Sequence, residues 1–170
     1  MNKLNLKISK LKRKYRKSFY NNFWLLTLTG CKNYLALRRY HNFAKGKRCF
    51  ILGNGPSLLK CDVTKLKNEI TIGSNGIFLI FNQLGFKPTF LTVEDGLVAE
   101  DRAIEINSIK GLIKIFPYDL SNFLKQDKYT IYCNFVRRFK KKPKFSPNLA
   151  KKAFWGGTVS YLNLQLAYFI

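Results

Sequence analysis

From residue 47 onward the sequence keeps one rhythm. A short apolar run rich in β-branched and aromatic residues ends in a cluster of Gly, Asn, Pro, Ser or Asp, and a segment of helical or turn character follows. The apolar runs are KRCFILG, EITIGSN, PTFLTVED, GLIKIFPYD and YTIYCNF. Between them lie SLLKCDVTKL, GIFLIFNQLG closed by Gly85, GLVAEDRAIEIN and LSNFLKQ. Strands that alternate with short helices pair in parallel, because the connecting segment must cross back over the sheet. The expected fold is therefore α/β and Rossmann-like, a mainly parallel sheet with flanking helices. With 46% apolar residues in 170, the chain can bury one real core.

Parallel sheets take their ligands at the carboxyl ends of the strands. In chain order those ends read Gly53-Asn54-Gly55-Pro56-Ser57, Ser74-Asn75-Gly76, Glu94-Asp95-Gly96, Pro117-Tyr118-Asp119 and Cys133-Asn134. Small, polar and acidic residues thus collect on one edge. The first cluster is a glycine turn with Pro56 suited to the first position of a helix, where backbone N–H groups can meet a phosphate or ribose hydroxyl. It is not a dinucleotide fingerprint, since Leu58 occupies the third glycine position and the second strand ends in Ser74-Asn75 rather than an acid. Nor is it a Walker loop, because Gly-Lys-Ser/Thr occurs nowhere in the chain. A plain strand-to-helix turn is the alternative. Glu94 and Asp95, at a strand end, suit Mg²⁺ beside a diphosphate or a ribose or sugar hydroxyl. Glu100 and Asp101 are expected in the first turns of a helix, where acids are favoured in any case, and Glu105 is set aside with them.

The net charge of +22 is unevenly spread. Residues 1–61 carry 15 Lys/Arg and no acid, residues 137–152 carry eight more and no acid, and five of the nine acids fall between Glu94 and Glu105. In the first segment Leu4, Ile8, Leu11, Tyr15, Phe19 and Phe23 recur at steps of three and four, flanked by Lys7, Lys10, Lys14 and Lys17. Two readings fit a basic amphipathic helix of this kind followed by Tyr20, Phe23 and Trp24. Residues 1–20 either lie on an anionic membrane surface or pack their stripe on the domain. No nucleic-acid motif accompanies the charge, no run has the length of a membrane span, and FWLLTLTG lacks a signal-peptide cleavage site. The chain divides at this level into a basic arm, 1–46, and a nucleotide-binding domain, 47–170. Four cysteines without C-x-x-C spacing point to reduced thiols and a cytoplasmic setting, and the basic arm suits a peripheral place on the inner membrane face. The lone His41 reads as a helix-end or surface residue.

The segments FILGNGPSL, TIGSNGIF, PTFLTVEDGLVAEDRAIEIN and FWGGTVSYLNLQLAY, in that order, resemble the 6-hydroxymethylpterin diphosphokinase MptE-like family, whose members occur in surface-polysaccharide and flagellin-glycosylation loci. The GNGPSL turn and the Gly-Gly-Thr helix start are also similar to bacterial sialyltransferases that use CMP-sialic acid. The resemblance runs from about Lys47 to the last residue. It implies a nucleotide held by Gly53, Asn54, Gly55, Ser57 and Asn75, and by Gly156, Gly157 and Thr158 at a later helix start. Thr158 also suits a helix cap, and Asn75 an Asx turn. The implied function is a nucleotide-sugar-dependent glycosyltransferase. The alternatives are a diphosphokinase relying on Mg²⁺ at Glu94 and Asp95, and an inactive fragment. Relatives continue beyond LNLQLAYFI into another strand and further helices, where the sialyltransferases keep their catalytic histidine. The resemblance thus implies a C-terminally truncated chain and assigns no catalytic residue within it.

Overall fold

The computed structural model describes residues 23–138 and 142–170. Five strands form one sheet: β1 (Cys49–Leu52), β2 (Ile70–Ser74), β3 (Phe90–Thr92), β4 (Ile113–Pro117) and β5 (Thr130–Cys133). All neighbours are parallel and the order is β1-β2-β3-β4-β5. One row of the register runs Leu52, Gly73, Leu91, Lys114, Thr130 across the whole sheet. The expected parallel α/β fold is what the chain adopts. Its strand order is monotonic, without the reversal that makes a crevice at a topological switch point in doubly wound sheets.

Side-chain alternation sorts the strands into two faces. Ile51, Ile72, Phe90, Ile115 and Ile131 face α1 (Leu28–Arg38) and the C-terminal helix, α5 (Val159–Phe169), in one apolar cluster. On the other face Leu52 and Leu91 meet Leu58, Leu66, Ile77 and Leu84, while Phe116 and Tyr132 meet Ala99, Ile106, Leu120 and Leu124. All four crossovers therefore cover one face, as right-handed connections between sequential parallel strands require. The terminal helices supply the second layer. A two-stranded parallel pair, β6 (Phe135–Val136) and β7 (Ala153–Phe154), extends the structure beyond β5.

The crossovers are less helical than their spacing suggests. GIFLIFNQLG begins as a 3₁₀ segment, Asn75–Ile80, and becomes a single α-helical turn, α2 (Phe81–Leu84), stopped by Gly85 at φ 73°. Its β-branched and aromatic residues are weak helix formers, and the break falls at Ile80. GLVAEDRAIEIN breaks at Arg102 into α3 (Gly96–Asp101) and α4 (Ala103–Ser108). LSNFLKQ keeps only the end of a 3₁₀ turn, Tyr118–Leu120.

Two findings bear on the N-terminal segment. Trp24, read with the membrane-facing aromatics, is 2% exposed and packs on Tyr118 with ring centroids 5.0 Å apart. Asn33 of α1 is buried and its Oδ1 accepts from Tyr132 N on the edge strand β5 at 2.7 Å. Of the segment 1–46, Trp24, Asn33 and Leu37 thus pack on the domain, because an acid-free composition does not stop them from finding partners. The expected helix over 1–20 lies outside the described residues. Among the described residues no helix is long and apolar enough to cross a membrane. His41 is exposed in the turn after α1, and all four cysteines are free thiols.

Candidate functional site

Parallel pairing places the turns after β1 to β4 side by side at one sheet edge, and side chains bridge the later ones. The Nδ2 of Asn54 lies 3.5 Å from where a Cβ on Gly76 would stand, so the first turn lies beside the second. The Oδ1 of Asn75 accepts from Glu94 N at 3.1 Å, joining the second to the third. Arg137 then joins the third to the fourth. Its Nε donates to Asp119 Oδ2 at 2.6 Å, one terminal nitrogen to the Glu94 carbonyl at 2.9 Å, and the other to the Glu94 carboxylate. Asn54, Asn75 and Asp95 therefore share an edge.

The start of α5 reaches the same edge. Asn163 sits against the last residues of β2 and β3, with Nδ2 donating to Ser74 Oγ at 2.8 Å and Oδ1 accepting from Thr92 Oγ1 at 2.5 Å. The other end of α5 lies at the opposite edge, where Ala44 N donates to Ile170 O shortly before β1 begins. The helix therefore runs antiparallel to the strands. At a rise of about 1.5 Å per residue, Thr158 stands roughly 7 Å beyond Asn163, past the carboxyl ends. Thr158 is the N-cap, accepting from Ser160 N at 3.4 Å.

The glycines at the two proposed nucleotide-binding segments behave differently. A Cβ on Gly156 would stand 2.3 Å from the Tyr161 ring, and Gly157 has φ 91°. Both are demanded by the way the chain enters α5. At Gly53 a Cβ would meet nothing within 4 Å. At Gly55 it would meet only Ser57 Oγ, at 3.8 Å, and the backbone there is extended, φ −74° and ψ 155°. No positive φ exists at Gly55 for a side chain to resist. Gly53, Gly55, Ser57, Leu58 and Cys61 line an open depression of about 180 Å³. Pro56 opens a five-residue 3₁₀ segment rather than an α-helix.

The acids at the strand ends, Glu94, Asp95 and Asp119, have partners in the fold. Asp95 caps α3, its Oδ1 accepting from Leu97 N at 2.8 Å. Glu94 is 7% exposed. Burial lifts its carboxyl above the ordinary range, against the opposing pull of Arg137. For Arg137 burial opposes the charge, and Asp119 and Glu94 together outweigh it. Among the described residues no group of three or more His, Cys, Asp or Glu side chains is placed to hold a metal ion. Asn75 has φ 43°, a conformation asparagine tolerates, and bridges to Glu94 N instead of making an Asx turn.

No family model matches the chain, and comparisons with curated proteins and with solved structures returned no match.

Arg137 and Asn163 escaped the sequence reading. Arg137 begins a lysine-rich loop and looks like one more solvated cation. The signal for it was the pair of acids at strand ends, Glu94 and Asp119, since buried carboxylates call for a multidentate cation. For Asn163 the signal was an amide in VSYLNLQLAYF, a helix without a single charge. Gln165 in the same helix is also fully buried, accepting from Ser146 N and Phe154 N and donating to Phe154 O and Tyr161 O.

Proposed function

We propose that this chain is the nucleotide-binding domain of a transferase, a nucleotide-sugar-dependent glycosyltransferase of sialyltransferase-like type serving surface-glycan biosynthesis at an inner membrane face. The observation that carries the reading is the pair Gly53 and Gly55. Glycine costs about 0.4–1 kcal/mol of stability at a site whose backbone an alanine could adopt, through the extra freedom of the unfolded chain. At these two positions neither φ nor a neighbouring atom of the described structure asks for it, and both line an open depression. A missing Cβ in such a place suits the close approach of a ligand. The volume bounds the ligand part: at about 180 Å³ the depression is below the roughly 300–1,000 Å³ of whole-ligand pockets. It suits a phosphate or a ribose, with the remainder of the nucleotide lying over Asn54, Gly76 and Asn75. Thr158 contributes from the start of α5.

Glu94 is committed to Arg137 and Asp95 to Leu97 N, so the glycosyltransferase reading, which asks no metal of them, fits more simply than diphosphate transfer. Thermal shift with CMP, UDP, GDP and ATP, each with and without Mg²⁺, tests this. The expected result is a rise in melting temperature with a cytidine nucleotide, independent of Mg²⁺ and abolished by Gly55→Val. A response to ATP that requires Mg²⁺ moves the assignment to a diphosphokinase, and no response to any nucleotide overturns both.

A further inference from the structure

The carboxyl edge carries an unusual apolar collar beside β4 and β5. Phe23, Leu25, Leu26 and Leu28 are 45%, 43%, 82% and 93% exposed, although Trp24 among them is buried. Trp24 fixes where they stand: its ring packs on Tyr118, the residue that follows β4. The outer face of α1 continues the surface as Leu28, Lys32, Leu35 and Arg39, all exposed at steps of four, three and four. Arg138, next to the Arg137 that binds Asp119, is also exposed.

An occupant of this surface must accept leucines and attract cations together. The segment preceding the collar, residues 1–22, carries eight Lys/Arg and no acid, and the first acid of the chain is Asp62. A second copy would bring the same positive segment against its own, at a net charge of +22 per chain. A nucleic acid offers no apolar medium for Leu26 and Leu28. A bilayer leaflet containing anionic lipid offers both.

We propose that the Phe23–Leu28 collar seats the β4–β5 corner of the sheet on an anionic membrane surface. The seat stands apart from the nucleotide assignment. Joined to it, it makes the acceptor of the transferase a membrane-borne molecule, because the candidate site opens at the edge that carries the collar.

Co-sedimentation of the full chain with vesicles tests the seat, using phosphatidylcholine alone and phosphatidylcholine with about 30% phosphatidylglycerol. The wild type should partition to the anionic vesicles and be released by salt. Leu26→Ser combined with Leu28→Ser should lower that partitioning roughly tenfold or more, since the lost contacts are apolar and the charge is unchanged. Ile104→Ser, at an 84% exposed position on α4, should leave it unchanged. Melting temperatures and nucleotide-induced shifts without vesicles should be the same for all these variants, which separates failure of the seat from failure of the nucleotide reading. Equal partitioning by the double variant, or none by the wild type, overturns the seat. So does a wild-type dimer in sedimentation velocity that the double variant loses, which would give the collar to a second copy.

Discussion

Two glycine pairs stand at the same sheet edge and teach opposite lessons. Gly156 and Gly157 look like ligand residues in sequence, yet each has a demand made on it by the protein: the Tyr161 ring in one case, a left-handed backbone in the other. Gly53 and Gly55 carry the same expectation, with a plain turn as its alternative, yet no described neighbour requires them. A glycine that the fold explains says little about a ligand. One that the fold leaves unexplained, beside open space, says more. The same division separates Glu94, bound by Arg137, from Asn54, which is exposed with its amide near Gly76.

The comparison can be broken most forcefully at Arg137. Arg137→Ala should lower the unfolding free energy by about 3 kcal/mol in urea titration, because Glu94 is left buried without its cation. An unchanged midpoint would return Glu94 to the residues available to a ligand. Next, Gly156→Ala should cost about 2 kcal/mol by overpacking against Tyr161, and less in a Tyr161→Ala background. Gly157→Ala should cost about 1–2 kcal/mol through its φ, in either background. In contrast, Gly53→Ala and Gly55→Ala should be neutral or stabilising by up to about 1 kcal/mol, as the unfolded chain loses freedom. The same two variants should reduce the nucleotide-induced thermal shift. A large stability loss at Gly55 with nucleotide affinity retained would erase the contrast.

The smallest effect is a slope. The folded-state pKa of Glu94 lies above its ordinary value of 4.5, so its contribution to stability is fully present below the unfolded pKa and is lost as pH rises through the raised one. Glu94→Gln cannot titrate. The stability of the wild type relative to this variant should therefore decline as pH rises from about 4 toward neutrality. A rise over that interval would mean that Arg137 outweighs burial.

Much of this was legible in the sequence. Short apolar runs located all five strands, Gly85 marked the end of a helical turn, and the residues following β1 to β4 proved to share an edge. A short apolar run shows where a buried strand lies, not which strand neighbours which. The monotonic order was hidden for that reason, and with it the absence of a switch-point crevice. Arg137 was hidden because its partners lie 18 and 43 residues away along the chain. Trp24 stayed undecided because an aromatic next to a basic segment reads alike whether it meets lipid or Tyr118.

The monotonic order has a consequence for how the chain assembles. Paired residues of adjacent strands are only 16 to 23 positions apart, so each new strand closes a loop of similar, modest size. Growth of the sheet resembles the stepwise extension of a repeat array, in which each unit needs only its predecessor. The long connections come from the terminal helices, where Asn33 reaches Tyr132 across 99 residues and Asn163 reaches Ser74 across 89. Loop-closure entropy thus favours early sheet formation and late docking of α1 and α5. Until those two amides latch, the face formed by Ile72, Phe90, Ile115 and Ile131 stays bare, and an intermediate of that kind is the species most exposed to aggregation during folding.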